Sequence, residues 1–143
     1  MSLSRDIRRL AFQLLFQLDA SPGSDALELS QMFSDEAGPK DRKAAAEFAT
    51  QAFAGRAVAD EAMKELAPTW PANRQPAVDR AILRLGHHEI TTDQSTGAIV
   101  INEAVELAKE FGTDKSPAFI NALLDRVHKK HTNDPTPPIE LPM

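Results

Sequence analysis

Arg5, Arg8, Arg9, Phe12 and Phe16 are the residues whose types and spacing most clearly suggest chemistry. At 100° per residue along a helix they project together. Guanidinium groups pair with phosphates and aromatic rings stack on bases, so arginines interleaved with phenylalanines point to single-stranded nucleic acid. Such a patch also suits docking of a protein. The plainer alternative is that a further layer of helices covers the rings and the arginines are merely solvated. Other constellations are weaker. His87 and His88 are adjacent, so on a helix their imidazoles diverge and do not easily share one ion; His128 and His131 sit on a terminal turn. All four read as surface or partly packed histidines, and no metal or cofactor is expected. Glu103 and Glu106 share a helix face with Lys109 and Glu110, which reads as solvated surface rather than a working carboxylate pair. There is no Gly-rich phosphate loop, and no nucleophile stands with a base and an orienting group, so no catalytic residue is expected.

The elements that must position these residues are helical throughout. Residues 3–18 form a helix whose core face is Leu3, Ile7, Leu10, Ala11, Leu14 and Leu18, opposite the arginines and phenylalanines. After the breakers Pro22 and Gly23, a short helix is predicted over 25–33 with Ser24 as its cap. A long alanine-rich helix follows over 41–66, with Phe48, Ala52, Ala59, Met63 and Leu66 buried and Gly55 at most bending it. Three prolines in the stretch 68–76 end it, and Trp70 there is expected to anchor packing between the two halves. The helix over 76–90 has a broad apolar stripe, with Gly86 allowing close backbone approach, and leaves Asp79, Arg80 and Arg84 for solvent or a partner.

The stretch 100–127 predicts a helical hairpin. Ile101, Ala104, Val105, Ala108 and Phe111 form one stripe, and Ile120, Leu123, Leu124 and Val127 the other. Gly112 fits a left-handed C-terminal position, Ser116 an N-cap and Pro117 the first helical position. The expected fold is all-α: seven or so helices in two packed subdomains, about 1–67 and 76–131, in one domain covering 1–131. The proline-rich tail 132–143 is expected to be disordered.

Composition narrows the function classes. A chain of 143 residues is one domain by length. With no cysteine, disulfides, thiolate metal sites and cysteine nucleophiles drop out, and a cytoplasmic setting is expected. No apolar run approaches the roughly 20 residues of a membrane span, and the charged N-terminus does not read as a signal peptide. The net charge of −5 argues mildly against nucleic acid. Its distribution moderates that: the arginines near the N-terminus and Arg126, Lys129 and Lys130 near the C-terminus leave the acidic excess between them. If the two ends meet, the body carries one basic face.

Three segments carry a resemblance. The runs R-x-x-R-R-L-A-F-Q-L-L-F-Q from Arg5, V-D-R-A-I-L-R-L-G-H-H-E-I from Val78, and V-I-N-E-A-V-E-L-A-K-E-F-G followed by S-P-A-F-I-N-A-L-L-D from Val100 closely resemble the NusB family of transcription antitermination factors, in order and spacing. The resemblance implies an all-α fold of two helical subdomains. It also implies a non-enzymatic role, binding boxA RNA of ribosomal RNA leader transcripts with the ribosomal protein NusE, so that other Nus factors and RNA polymerase assemble for processive elongation. Matched motif by motif, it implies RNA contacts at Arg5 and Arg8, extended to the adjacent Arg9, and at Phe119 and Asn121. It implies NusE contacts at Phe16, Asp79 and Arg84, with Phe12 on the same helix face as Phe16. The chain departs from the family pattern at Ser4 (arginine run), Phe16 and His88 (tyrosine), Thr96 (proline) and Ala122 (glycine). Two competing readings are an accessory domain related to that of rRNA cytosine methyltransferases, and a homodimer closed through the Phe12/Phe16 face.

Overall fold

The structure is a computed structural model that describes residues 3–133. Among the described residues it has seven α-helices, two 3-10 turns and no strand. They are α1 (Arg5–Ala20), α2 (Ala26–Leu29) running into a 3-10 turn (Ser30–Phe33), α3 (Pro39–Ala54), α4 (Arg56–Leu66), a 3-10 turn (Ala72–Arg74), α5 (Ala77–Thr91), α6 (Gly97–Phe111) and α7 (Ser116–His131). None is long and apolar enough to cross a membrane. The all-α expectation holds.

Local chemistry starts these helices. The Ser4 hydroxyl accepts the Ile7 N–H at 3.1 Å, so the residue that interrupts the arginine run is the N-cap of α1. Asp25, not Ser24, caps α2, accepting the Leu27 N–H at 2.8 Å. The long helix expected over 41–66 is two helices, with Gly55 between α3 and α4 at φ −89°, ψ 8°. Glycine has the least to lose by leaving the helix there, and the break brings the helix count to seven.

The core forms around α5. It packs against α6 and α7 and against α1, α3 and α4, while α1 lies mainly along α3 and α6 along α7. Residues Ala81 to Gly86 are all buried, as the broad apolar stripe required. At Gly86 the side chains of α7 come close: a Cβ there would sit 2.7 Å from Leu124 Cδ1 in the fully buried core. The turn between α6 and α7 differs from expectation. Gly112 is extended, at φ −95° and ψ −164°, rather than left-handed. Glycine is needed because a Cβ would meet the Ser116 hydroxyl at 2.5 Å and the Ala108 carbonyl at 2.8 Å. That hydroxyl turns back to accept the Thr113 N–H at 3.0 Å instead of capping α7, which begins at Ser116 itself. From residue 134 onward the proline-rich tail lies outside the described residues.

Candidate nucleic-acid interface

The three arginines of α1 take two different environments. Arg5 and Arg9 reach across a groove of about 310 Å³ to α6, which contributes Glu103, Glu106, Leu107, Lys109 and Glu110 to its walls. Arg5 donates from Nε and Nη2 to Glu103, with the shortest contact 3.0 Å. Arg9 donates to Glu110 from Nε at 3.1 Å, and its guanidinium carbon lies 5.2 Å from the centre of the Phe111 ring. The hydrogen bond from Arg9 holds the Glu110 carboxyl below its ordinary pKa. Arg8 points inward. Its guanidinium donates to Glu89 of α5 at 2.8–3.1 Å, and both side chains are almost wholly buried.

This corrects the expected face of α1. Arg8 and Phe12 do not project away from the core: Arg8 is 2 % exposed, and Phe12, also 2 % exposed, lies with its ring centre 4.9 Å from that of Phe111. Helix α1 packs against both α3 and α5, so its buried face is wide enough to take in Arg8 and Phe12. Phe16 is half-buried against the same core. A homodimer closed through both rings therefore lacks one of them. The face of α6 read as solvated is exposed at Glu106, Lys109 and Glu110 but not at Glu103, and Glu103 and Glu110 are in addition the arginines' partners. Of the C-terminal cations of α7, two have acids of their own, Lys129 with Asp125 and Lys130 with Glu65.

On α5 the polar residues left for solvent or a partner are largely withdrawn. Arg84, 7 % exposed, donates to Asp19 at 3.0 Å and to Asp60 at 2.7–2.9 Å, while Arg80 donates to the other oxygen of Asp19. Burial pushes the Asp19 carboxyl up, but the hydrogen bonds from Arg80 and Arg84 outweigh it and hold it below the ordinary range. This chain of charges ties α1, α4 and α5 together. Neither Asp19 nor Asp60 stood out in the sequence.

Asp79 is 5 % exposed, and its Oδ1 is buried without a hydrogen-bond partner. Burial raises its pKa above the ordinary 3.8, with the nearby Ser116 hydroxyl opposing. A carboxyl raised on folding contributes stability that is complete below 3.8 and is lost as pH rises through the raised value. At neutral pH the charged form is therefore a cost. Asp79→Asn is expected to stabilise the protein by about 1 kcal/mol at pH 7. The gain should shrink toward acid, and urea unfolding at a series of pH values checks both.

Phe119 and Asn121 lie elsewhere, on the first turns of α7. Asn121 is exposed, and Phe119 is half-buried with its ring edge-on to Trp70, the centres 6.3 Å apart. Trp70 thus anchors its loop to α7. Neither Phe119 nor Asn121 lines the α1–α6 groove. His88 packs edge-on against Phe48 with Nε2 buried and unpartnered, and burial lowers its pKa. His131 meets Asp93 at 3.0 Å. Among the described residues no three or more His, Cys, Asp or Glu side chains are grouped to hold a metal ion.

Comparison with known proteins agrees with this architecture. The model of the NusB family matches residues 5–129. A transcription antitermination protein NusB of Roseiflexus sp. (strain RS-1) is 34% identical over 91% of this chain and 94% of its own length. One from Streptomyces coelicolor is 40% identical over 89% and 93%. The solved structure of T. maritima NusB superposes with a TM-score of 0.76 at 28% identity, covering 92% of this chain and 94% of that one. The solution structure of NusB from Aquifex aeolicus, at 24% identity and a TM-score of 0.73, shares the fold.

Proposed function

Because the chain belongs to the NusB family, we propose that it acts in transcription antitermination by holding boxA-type single-stranded RNA of ribosomal RNA leaders. In this reading it works beside the ribosomal protein NusE, with other Nus factors and RNA polymerase completing the complex. The observation that carries the reading is the α1–α6 groove, where Arg5 and Arg9 present solvent-accessible guanidinium groups on one wall, with Lys109 on the other. Arginine forks match phosphate oxygens two at a time. Both guanidinium groups are held at present by solvent-exposed ion pairs, which water and salt weaken, so exchange for phosphate is within reach.

Within this proposal the residues divide by accessibility. Arg5 and Arg9 contact phosphate, while Arg8, held by Glu89, fixes α1 against α5 and so sets the position of its neighbours. Phe119 and Asn121, on a separate part of the surface, offer a base-stacking edge and a hydrogen-bonding amide to a further stretch of the strand. On the NusE side, Phe16 supplies the accessible contact. Phe12, Arg84 and Asp79 shape that surface from beneath, since they are buried. The name carried by the relatives, proteins matched over more than nine-tenths of their own length, supports this reading over the methyltransferase accessory domain.

A titration of a boxA-like RNA with and without NusE, across a salt series, tests it. Binding is expected to strengthen with NusE, weaken with salt and fall at least tenfold in Arg5→Ala/Arg9→Ala, roughly the loss of two charged phosphate contacts. Undiminished binding by that folded variant would move the RNA off this groove. No binding by the wild type under any of these conditions would sink the RNA reading altogether.

A further inference from the structure

Resting on the RNA-binding reading above, we infer that Glu103 and Glu110 are built-in competitors of the RNA. They hold Arg5 and Arg9 as internal counter-anions, and phosphate binds by displacing them. The charges lining the groove are the starting observation. Arg5, Arg9 and Lys109 face Glu103, Glu106 and Glu110, three cations against three anions, and Arg8 beneath is matched by Glu89. An empty groove built this way offers a polyanion no net positive charge, on a chain whose formal charge is already −5.

The geometry shows how the exchange works. Arg5 gives Glu103 the two-nitrogen fork that a phosphate would otherwise receive. The Glu103 side chain is 15% exposed while that of Arg5 is 68% exposed, so the carboxylate is fixed against α6 and the guanidinium is the part that swings. At the second pair both partners are accessible, 39% for Arg9 and 47% for Glu110. Helices α1 and α6 are not closely packed along their backbones here. The long side chains span the gap, together with the Phe12–Phe111 ring contact, so opening the two pairs does not require the core to move. Arg8–Glu89 is the counter-example on the same helix: buried, it does not exchange.

Displacement has a signature in salt. Each phosphate that takes an arginine releases condensed cations from the RNA, while the freed glutamate, an isolated surface charge, takes back only a fraction of one, so binding still weakens with salt but with a shallower slope. Removing the glutamate charge leaves the release alone, and the slope of log K against log salt should steepen toward the full value of about 0.7 for each phosphate.

The test is the same RNA titration with Glu103→Gln/Glu110→Gln and each single variant, with circular dichroism confirming the fold. Glu47→Gln/Glu61→Gln serves as the control, because it removes two exposed acids of α3 and α4 that do not line the groove. The groove variant is expected to bind about tenfold tighter at low salt, with the steeper slope, and to gain equally on an RNA of unrelated sequence because phosphate carries no sequence information. If wild-type binding is lost in Arg5→Ala/Arg9→Ala but the groove variant gains no more than the control, the competitor role is overturned and the RNA site stands. If neither wild type nor groove variant binds RNA, both are overturned. Binding by the groove variant alone would likewise overturn the RNA reading of the natural chain, and the competitor role with it.

Discussion

Arg8→Ala is expected to lower the free energy of unfolding by about 3–5 kcal/mol, because it strands the Glu89 carboxylate inside the protein. The pair is not adjustable from outside: the two side chains are 3% and 1% exposed, and the guanidinium gives Glu89 contacts of 2.8–3.1 Å. Taking away one partner removes the attraction and leaves the desolvation. Replacing both by apolar residues of similar size, Arg8→Met/Glu89→Leu, should cost far less, within about 1–2 kcal/mol of wild type or better, since both desolvation terms vanish together. Urea unfolding of the single and double variants measures the difference. A single variant as stable as wild type would mean that Arg8 is solvated in solution, as the periodicity of α1 alone suggested. The prediction also bears on how binding data are read, since RNA affinity lost in an Arg8 variant would report the position of α1 rather than a missing phosphate contact.

The second large effect concerns Phe12. Phe12→Ala should destabilise the protein by about 3–5 kcal/mol, the usual cost of truncating a fully buried ring. It is almost sealed from solvent and rests on Phe111, which in turn underlies Arg9. The lost volume therefore lies directly beneath the groove, and the variant should also loosen the Arg9–Glu110 pair. Phe16→Ala, at a half-buried position, should cost markedly less stability and show its effect in partner binding instead. Thermal unfolding of the two variants separates these roles. Equal, small losses at both positions would return Phe12 to the surface patch.

The contrast between these residues shows what the sequence could and could not reveal. Helix positions and the broad stripe of α5 were legible because hydrophobic period is a local property. The direction of Arg8 was not, because a helical wheel separates core from solvent only when one side of the helix is covered. Here α1 packs against both α3 and α5, and of the i, i+4 pair Arg8 is drawn to Glu89 of α5 while Phe12 rests on Phe111 of α6. One signal was available: Glu89 stands four residues after Leu85 and seven after Ile82, in register with the apolar stripe of α5, where a carboxylate requires a buried cation. Arg8 is the match. The glutamates of α6 gave no such sign. A face bearing Glu103, Glu106, Lys109 and Glu110 looks solvated until α1 is placed opposite it, and no local pattern places it there. Gly55 was visible as a weak point, but whether a glycine bends a helix or ends it depends on what α4 must reach, which is α5 and α7.

The most direct measurement of the central claim follows the arginine side chains themselves. In a nuclear magnetic resonance titration of labelled protein with a boxA-like RNA, the Nε–H signals of Arg5 and Arg9 should shift as their hydrogen bonds pass from glutamate to phosphate. The Arg8 signal should stay in place, held by Glu89. Binding that leaves Arg5 and Arg9 unmoved, or that moves Arg8 as far as its neighbours, would contradict the account.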